Sequence, residues 1–380
     1  MVSRRRPRRA KLRKMLSNKS SARERLAKFI FNRFRKNEIG LHELNYLFWE
    51  CTLNCNLQCL HCGSDCMSDS NIPDLPFEDF LAAILPLKEV YKPNSITVAI
   101  TGGEPVLRKD LPECGKALRE HGFHWGIVTN GYDYTPDTHF KLLDAGLGSI
   151  TLSLDGLEAS HNWLRGKSDS FTRAVKALEL ISSASGLIYD VVTCVNQRNI
   201  DELEQLKQFL YERQIRAWRL FTISPIGRAG ANHELQLTAP QLKGLMDFIV
   251  QSRAEKRMKI SFGCEAYLGE YEGKARDSYF FCNAGIRVAS ILVDGSIGAC
   301  PNINRSFIQG NIYKDEFLDV WEKRFDIMRN RSWTKTGICL DCKDYRNCHG
   351  GALHLWNEKR DGILTCIHHK LSTIGTMEAQ

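Results

Sequence analysis

Past about residue 40 the chain alternates between short apolar runs and stretches whose apolar residues recur every three or four positions. Short runs bounded by turn residues read as buried strands, and the longer spacing reads as helix with one covered face. Six such pairs follow one another, with strands expected at Leu44–Trp49, Ser95–Ile100, His124–Thr129, Ser149–Leu154, Tyr189–Val195 and Ala217–Ile223. Helices are expected between them, among them Phe77–Tyr91, Phe171–Ser182 and Asp201–Glu212. A repeated βα order builds a parallel sheet. Six units predict an α/β fold of partial (β/α)6 TIM-like barrel form, open on one side. Residues that carry chemistry should then stand just after the strands, where parallel α/β folds place their sites. Beyond Thr238 the pattern changes to one helix, Gln241–Arg253, and then to a loop-rich segment holding seven cysteines. The expected division is a tail over 1–36, a core over 37–237, and a helix plus small cysteine-rich domain over 238–380.

No apolar run approaches the roughly 20 residues that cross a bilayer. Met1 to Lys14 is basic, with no cleavable apolar segment behind it, so a cytoplasmic chain without a transmembrane segment is expected. The net charge of +8 is spread unevenly: residues 1–36 hold fifteen Lys or Arg against Glu24 alone, a balance of +14 that leaves −6 for 37–380. Such a block reads as a solvated extension. Leu26, Phe29, Ile30 and Phe34 also recur at helical spacing, which reads Ser20–Lys36 as an amphipathic helix on the protein body or on a membrane surface. Nucleic acid is not the expected partner, though the tail alone could contact it.

Fourteen cysteines in such a chain point to metal ligation or catalysis rather than disulfides. Directly after the first strand comes Cys55-Asn-Leu-Gln-Cys59-Leu-His-Cys62. Three thiolates at this spacing can wrap one cuboidal iron–sulfur cluster, and three ligands leave one of four irons open. Zinc is the alternative, although zinc sites usually show two pairs and four ligands. Cys51 and Cys66 flank the motif and could supply a fourth ligand; Cys51 reads as core, as do Cys114 and Cys194, and Cys66 as a loop thiol. After the second strand stands Thr101-Gly102-Gly103-Glu104-Pro105, whose glycines admit close backbone approach to a ligand and whose Glu104 offers a carboxylate to an amino group. The fourth strand ends in Ser153-Leu154-Asp155-Gly156, with Arg165 twelve residues past Ser153. Toward the C-terminus lie Cys264, Cys282, Cys300, then Cys339-x2-Cys342-x5-Cys348, and Cys366.

The first cysteine motif and Gly102-Gly103-Glu104-Pro105 together resemble the radical S-adenosylmethionine (SAM) superfamily. The later cysteines resemble its SPASM extension, so that the likeness covers about residues 41–370. The resemblance implies a SAM-binding 4Fe-4S cluster on Cys55, Cys59 and Cys62, reductive cleavage of SAM to a 5'-deoxyadenosyl radical, and one or two auxiliary 4Fe-4S clusters. It implies SAM contacts from Gly102, Gly103, Glu104, Ser153 and Arg165. Asp155 is either a ribose contact or a turn cap, Asn130 a turn residue, and Thr193 and Asn196 candidates to touch adenine or ribose. Cys339, Cys342, Cys348 and Cys366 match a complete distal ligand set. The proximal set has only Cys264, Cys282 and Cys300, because Ala352 stands where the family pattern has a further cysteine. That leaves an open iron, a substitute such as His349 or His354, or no proximal cluster; structural zinc is the other reading of this module.

The resemblance further implies hydrogen abstraction from a peptide or protein substrate, with an electron donor such as a flavodoxin or ferredoxin. Phe48-Trp49-Glu50-Cys51-Thr52 and Gly63-Ser64-Asp65-Cys66 are similar to a subgroup paired with a lipoprotein, which makes a lipoprotein a candidate substrate or partner. Two other functions stay open. One is radical chemistry on a small molecule in cofactor biosynthesis, and the other a non-catalytic, metal-stapled binding protein whose tail grips nucleic acid.

Overall fold

The computed structural model describes residues 22–377, so the reading of the tail over residues 1–21 lies outside the described residues. Ala22–Leu41 is one helix and a unit by itself, with Leu26, Phe29, Ile30 and Phe34 exposed along it. The compact body begins at His42.

Apolar residues at alternate positions drive the body into strands. They are β1 (Tyr46–Glu50), β2 (Thr97–Thr101), β3 (His124–Thr129), β4 (Ser149–Ser153), β5 (Ile188–Val195), β6 (Ala217–Thr222), β7 (Lys259–Phe262), β8 (Val288–Ile291), β9 (Ser296–Gly298) and β10 (Gly310–Asn311). All belong to one sheet in the order β10-β9-β8-β1-β2-β3-β4-β5-β6-β7. From β8 through β7 every pairing is parallel, and β9 and β10 add antiparallel strands at one edge. The six expected strands are all present. The sheet also continues through the division expected at residue 238, because β7 pairs with β6 and β8 pairs with β1.

The alternation along β5 shows which face is which. Tyr189, Val191, Thr193 and Val195 are buried beneath the outer helices, whereas Asp190, Val192 and Cys194 turn to the concave side. Helices cover the convex face with residues at three- and four-residue spacing; Ser170–Ser183 buries Ala174, Ala177, Leu178 and Ile181. The helix expected over Phe77–Tyr91 is two pieces, Phe77–Ile84 and Leu87–Val90, interrupted at Pro86, whose ring and missing N–H end the first. In Leu111–Glu120 the buried Gly115 faces the ring of Trp125 so closely that a Cβ there would collide with it.

Gly115→Val should therefore lower stability by about 1–3 kcal/mol through overpacking, more than the few tenths a helix regains on losing a glycine. Thermal melting of the variant checks this, and an unchanged midpoint would remove the close approach as a constraint.

Candidate functional site

The segment after β1 turns back on itself: the Cys55 amide donates to the Met67 carbonyl at 2.8 Å and the Met67 amide to the Leu53 carbonyl at 3.3 Å. This loop is docked on the one that follows β2. The Gly103 amide donates to Thr52 O at 2.7 Å and the Glu104 amide to Asn54 O at 2.9 Å. A Cβ on Gly102 would collide with the Thr52 carbonyl, and one on Gly103 with the Asn54 carbonyl; Gly102 also has φ +142. The two glycines thus admit the cysteine loop's backbone, a structural reason distinct from the ligand approach read in the sequence.

Cys55 and Cys59 are 7% and 8% exposed and Cys62 is half-buried. Each of the three sulfurs accepts at least one N–H: Cys55 from Asn130 Nδ2 at 3.8 Å, Cys59 from Arg165 Nη1 at 3.6 Å, and Cys62 from the Cys66 amide at 3.4 Å, with the Leu57 and Ser64 amides also directed at Cys55 and Cys62. Burial pushes the Cys55 thiol up to about 12. Burial also raises Cys59, against the pull of Arg165. Cys62 is held low, first by a hydrogen bond from the Cys66 side chain, and Cys66 is correspondingly raised. Three thiols within reach of N–H donors suit thiolate ligands of an anionic cluster. The donor set therefore fits iron–sulfur ligation.

Glu104 is fully buried; its carboxylate accepts from Thr129 Oγ1 and the Asn130 amide, both at 2.7 Å. Burial lifts its carboxyl to about 7, against those hydrogen bonds. Ser153 ends β4 half-buried. Asp155 neither caps a turn nor stands open to a ribose: Oδ1 accepts from the Cys194 amide at 2.8 Å and Oδ2 holds Arg165 Nε at 2.6 Å. Arg165 is thereby fixed as a bridge between Asp155 and the Cys59 sulfur.

Other readings change. Asn130 is not merely a turn residue, since its amide also donates to Asn56 Oδ1 at 2.8 Å beside Cys55. Thr193 faces outward, with its hydroxyl donating to Leu154 O and accepting from Trp218 Nε1, and Asn196 Oδ1 caps its own turn through the Arg198 amide. Neither is placed to touch a nucleoside. Cys194, expected in the core, faces the concave side, where its sulfur, His61 and Asp155 present ligand atoms within 4.8 Å of one another. Arg165 already neutralises that carboxylate. Cys51 and Cys114 are core as expected.

The remaining cysteines gather in two groups. Cys339, Cys342, Cys348 and Cys366 lie within electrostatic reach of one another. So do Cys264, Cys282 and Cys300. Cys264 is exposed to solvent, and the protein atoms around it raise its thiol by desolvation. Ala352 is fully buried beside the second group; its amide donates to Glu265 O at 3.2 Å, and the next amide, of Leu353, reaches Cys282. His349 instead stacks on Tyr345.

A largely parallel sheet with a three-thiol loop after β1, a second thiol group drawn from the segments around β7, β8 and β9, and a third after β10 suits a protein of several iron–sulfur clusters, and comparison with known proteins gives its class. Residues 49–210 match the profile of the Radical SAM superfamily, and residues 282–343 that of the SPASM iron-sulfur cluster-binding domain. Mycofactocin maturase MftC of Mycolicibacterium smegmatis is 31% identical over 322 residues, 83% of this chain and 80% of that protein. An AdoMet-dependent heme synthase of Methanosarcina barkeri is 24% identical, over 80% of this chain and 89% of that one. Among solved structures, Streptococcus suis SuiB bound to S-adenosylmethionine has the same fold, with a TM-score of 0.64 at 20% identity, covering 91% of this chain and 83% of that one.

The chain belongs to the radical SAM superfamily and carries a C-terminal SPASM domain. It is a radical SAM enzyme whose cofactors are SAM and 4Fe-4S clusters. Among the described residues no helix is long and apolar enough to cross a membrane.

Gly103→Ala should displace the cysteine loop and lower the iron bound after anaerobic reconstitution, by about half or more if the collision with Asn54 shifts the ligands. Iron-to-protein ratio reads the effect. Full iron loading would show that the loop does not depend on this contact.

Proposed function

We propose that this enzyme abstracts hydrogen from a peptide or protein substrate in a post-translational modification or maturation step. The observation that carries the reading is the relation to mycofactocin maturase MftC, 31% identical over most of both chains. Radical chemistry on a small molecule is the second reading, favoured by the more distant relation to AdoMet-dependent heme synthase.

In this reading Cys55, Cys59 and Cys62 hold three irons and leave the fourth for SAM. The cluster and SAM, when bound, would supply the one-electron reduction and the 5'-deoxyadenosyl radical needed for hydrogen abstraction. Glu104 accepts from the methionine amino group, Gly102 and Gly103 hold the loop that presents it, and Ser153 and Arg165 contact the methionine end, with Asp155 fixing Arg165. Cys339, Cys342, Cys348 and Cys366 would hold one auxiliary cluster, and Cys264, Cys282 and Cys300 would offer three ligands to a second, with an open iron, a substitute such as His354, or no second cluster as the alternatives left by Ala352. The functional division follows 1–36, 37–237 and 238–380. A flavodoxin or ferredoxin supplies the electron, a lipoprotein is a candidate substrate or partner, and fourteen free cysteines suit the reducing cytoplasm.

Anaerobically reconstituted protein should form 5'-deoxyadenosine from SAM and a strong reductant, while the variant with Cys55, Cys59 and Cys62 all changed to Ala should form none. Equal output from both would overturn the radical assignment. Addition of the peptide substrate should then shift the peptide's mass; consumption of only small molecules would favour the second reading.

Because the Glu104 carboxyl stands at about 7, it is mostly protonated a unit below that and mostly ionised a unit above. Only the ionised form accepts fully from the amino group. SAM affinity should therefore fall about tenfold from pH 8 to pH 6. Glu104→Gln should flatten the profile in equilibrium dialysis, and an equally steep profile in the variant would remove Glu104 from SAM binding.

A further inference from the structure

The concave side of the sheet carries a polar group that neither the cysteine motif nor the SAM-binding residues use. Asp190 on β5 is register-paired with Thr151 on β4, and Arg219 on β6 with Val192 on β5. The Thr151 hydroxyl donates to Asp190 Oδ1 at 2.7 Å, and Arg219 Nε donates to Asp190 Oδ2 at 2.8 Å. Trp218 and Leu220, the neighbours of Arg219 in sequence, are fully buried on the convex face, so Arg219 points the other way.

It points into the lumen. The Tyr46 hydroxyl on β1 lies within electrostatic reach of Arg219, Asp190 and Cys300. In the sheet, β2, β3, β4 and β5 separate β1 from β6, so Tyr46 faces Arg219 and Asp190 across the concavity without touching them. The same space is walled by aromatic rings. Tyr46 and Phe48 meet edge to face at 5.0 Å, and Arg219 lies over Phe221 at 5.4 Å.

Arg219 is under-used as a donor. Its side chain is 39% exposed and that of Asp190 21%. Of the five N–H groups of a guanidinium, one serves Asp190 and one makes a long 3.5 Å contact to Thr151 Oγ1; Nη1 meets no acceptor among the described residues. A cation kept open inside a concave, aromatic-walled space offers a fork that fits a carboxylate in two parallel hydrogen bonds. Its existing partner, Asp190, fixes the fork without closing it.

We propose that Arg219 is the substrate-anchoring residue of the lumen, binding a carboxylate of the polypeptide substrate, from an acidic side chain or from the C-terminus. The proposal rests on the polypeptide reading above. Arg219 also lies within reach of Cys264, and the competing role is to balance the charge of thiolates there.

Titration calorimetry of the cluster-loaded full chain tests this with three probes: N-acetyl-phenylalanine, which has a terminal carboxylate, N-acetyl-phenylalaninamide, which has none, and N-acetyl-glutamyl-phenylalaninamide, which has only the side-chain one. At least one acid probe should bind about tenfold or more tighter than the amide, and which one does so identifies the source of the carboxylate. Arg219→Gln should abolish the difference. Asp190→Asn, which removes the competing anion, should tighten the favoured probe. Equal binding of all three probes, or no binding of either acid at millimolar concentration, overturns the proposal. So does weakening by both variants alike, which marks the pair as structural. An Arg219→Gln protein that keeps its probe affinity and changes only the cluster's EPR signal assigns the charge-balancing role instead. No turnover is needed, so these titrations can fail while SAM cleavage succeeds, and the reverse.

Discussion

The main-chain joint between the cysteine loop and the loop after β2 is the contact on which the site depends. Thr52 and Asn54 carbonyls accept from the Gly103 and Glu104 amides, and no side chain fits between the two backbones. Three sulfurs in one short loop, two of them buried, repel one another once ionised. This joint holds them together against that repulsion, helped by Arg165 on the Cys59 sulfur and by Arg228, whose Nε donates to Cys59 O and whose Nη1 donates to Cys66 O, both at 2.9 Å. Glu104, at the same joint, is aimed at β3 through Thr129 and Asn130, and Asn130 returns to Cys55. A circuit from β1 to β2 to β3 and back thus ties the ligand loop to the sheet, and places a carboxylate, an amide and a thiol around one point.

Much of this was legible in the sequence because it is local. The six parallel strands follow from period and order, and the cysteine and glycine motifs follow from spacing after strands. What was not legible joins residues far apart in sequence or turns on one-residue parity. Asn130 donates to a sulfur 75 positions away, and only the sheet order makes them neighbours. Thr193 and Cys194 exchange roles because adjacent strand residues face opposite sides; with Val191, Val192 and Val195 on both faces of β5, the apolar pattern gives little contrast to set the parity. Strands β7 to β10 have four residues or fewer, too short to show a period inside a loop-rich segment.

The concave face also differs from the filled interior of a closed eight-stranded barrel, in which branched apolar side chains occupy the centre. Here Tyr46, Thr151, Asp190 and Arg219 look inward and are partly exposed beside Phe48, Val192 and Phe221, while the fully buried apolar side chains of the same strands, such as Leu47, Trp49, Val191 and Trp218, face the helices. The stability of the sheet therefore comes from its convex side. The concave side, released from packing, can hold ionic groups, at the cost of leaving the curved sheet open.

That openness gives the second thiol group a mechanical meaning. Cys264 follows β7, at one end of the strand order, whereas Cys282 precedes β8 and Cys300 follows β9, near the other end. The three thiols nevertheless lie within reach of one another, so the sheet curves until its two margins approach. Thiols cannot close the margins as strand hydrogen bonds would, and an unpaired edge is a liability for any sheet. Ligation of one metal group by all three would fasten β7 to the β8–β9 hairpin and fix the width of the lumen between them. With Ala352 in place of a fourth thiol, that fastening would hold the margins from three points and leave the side beside Glu265 without a protein ligand.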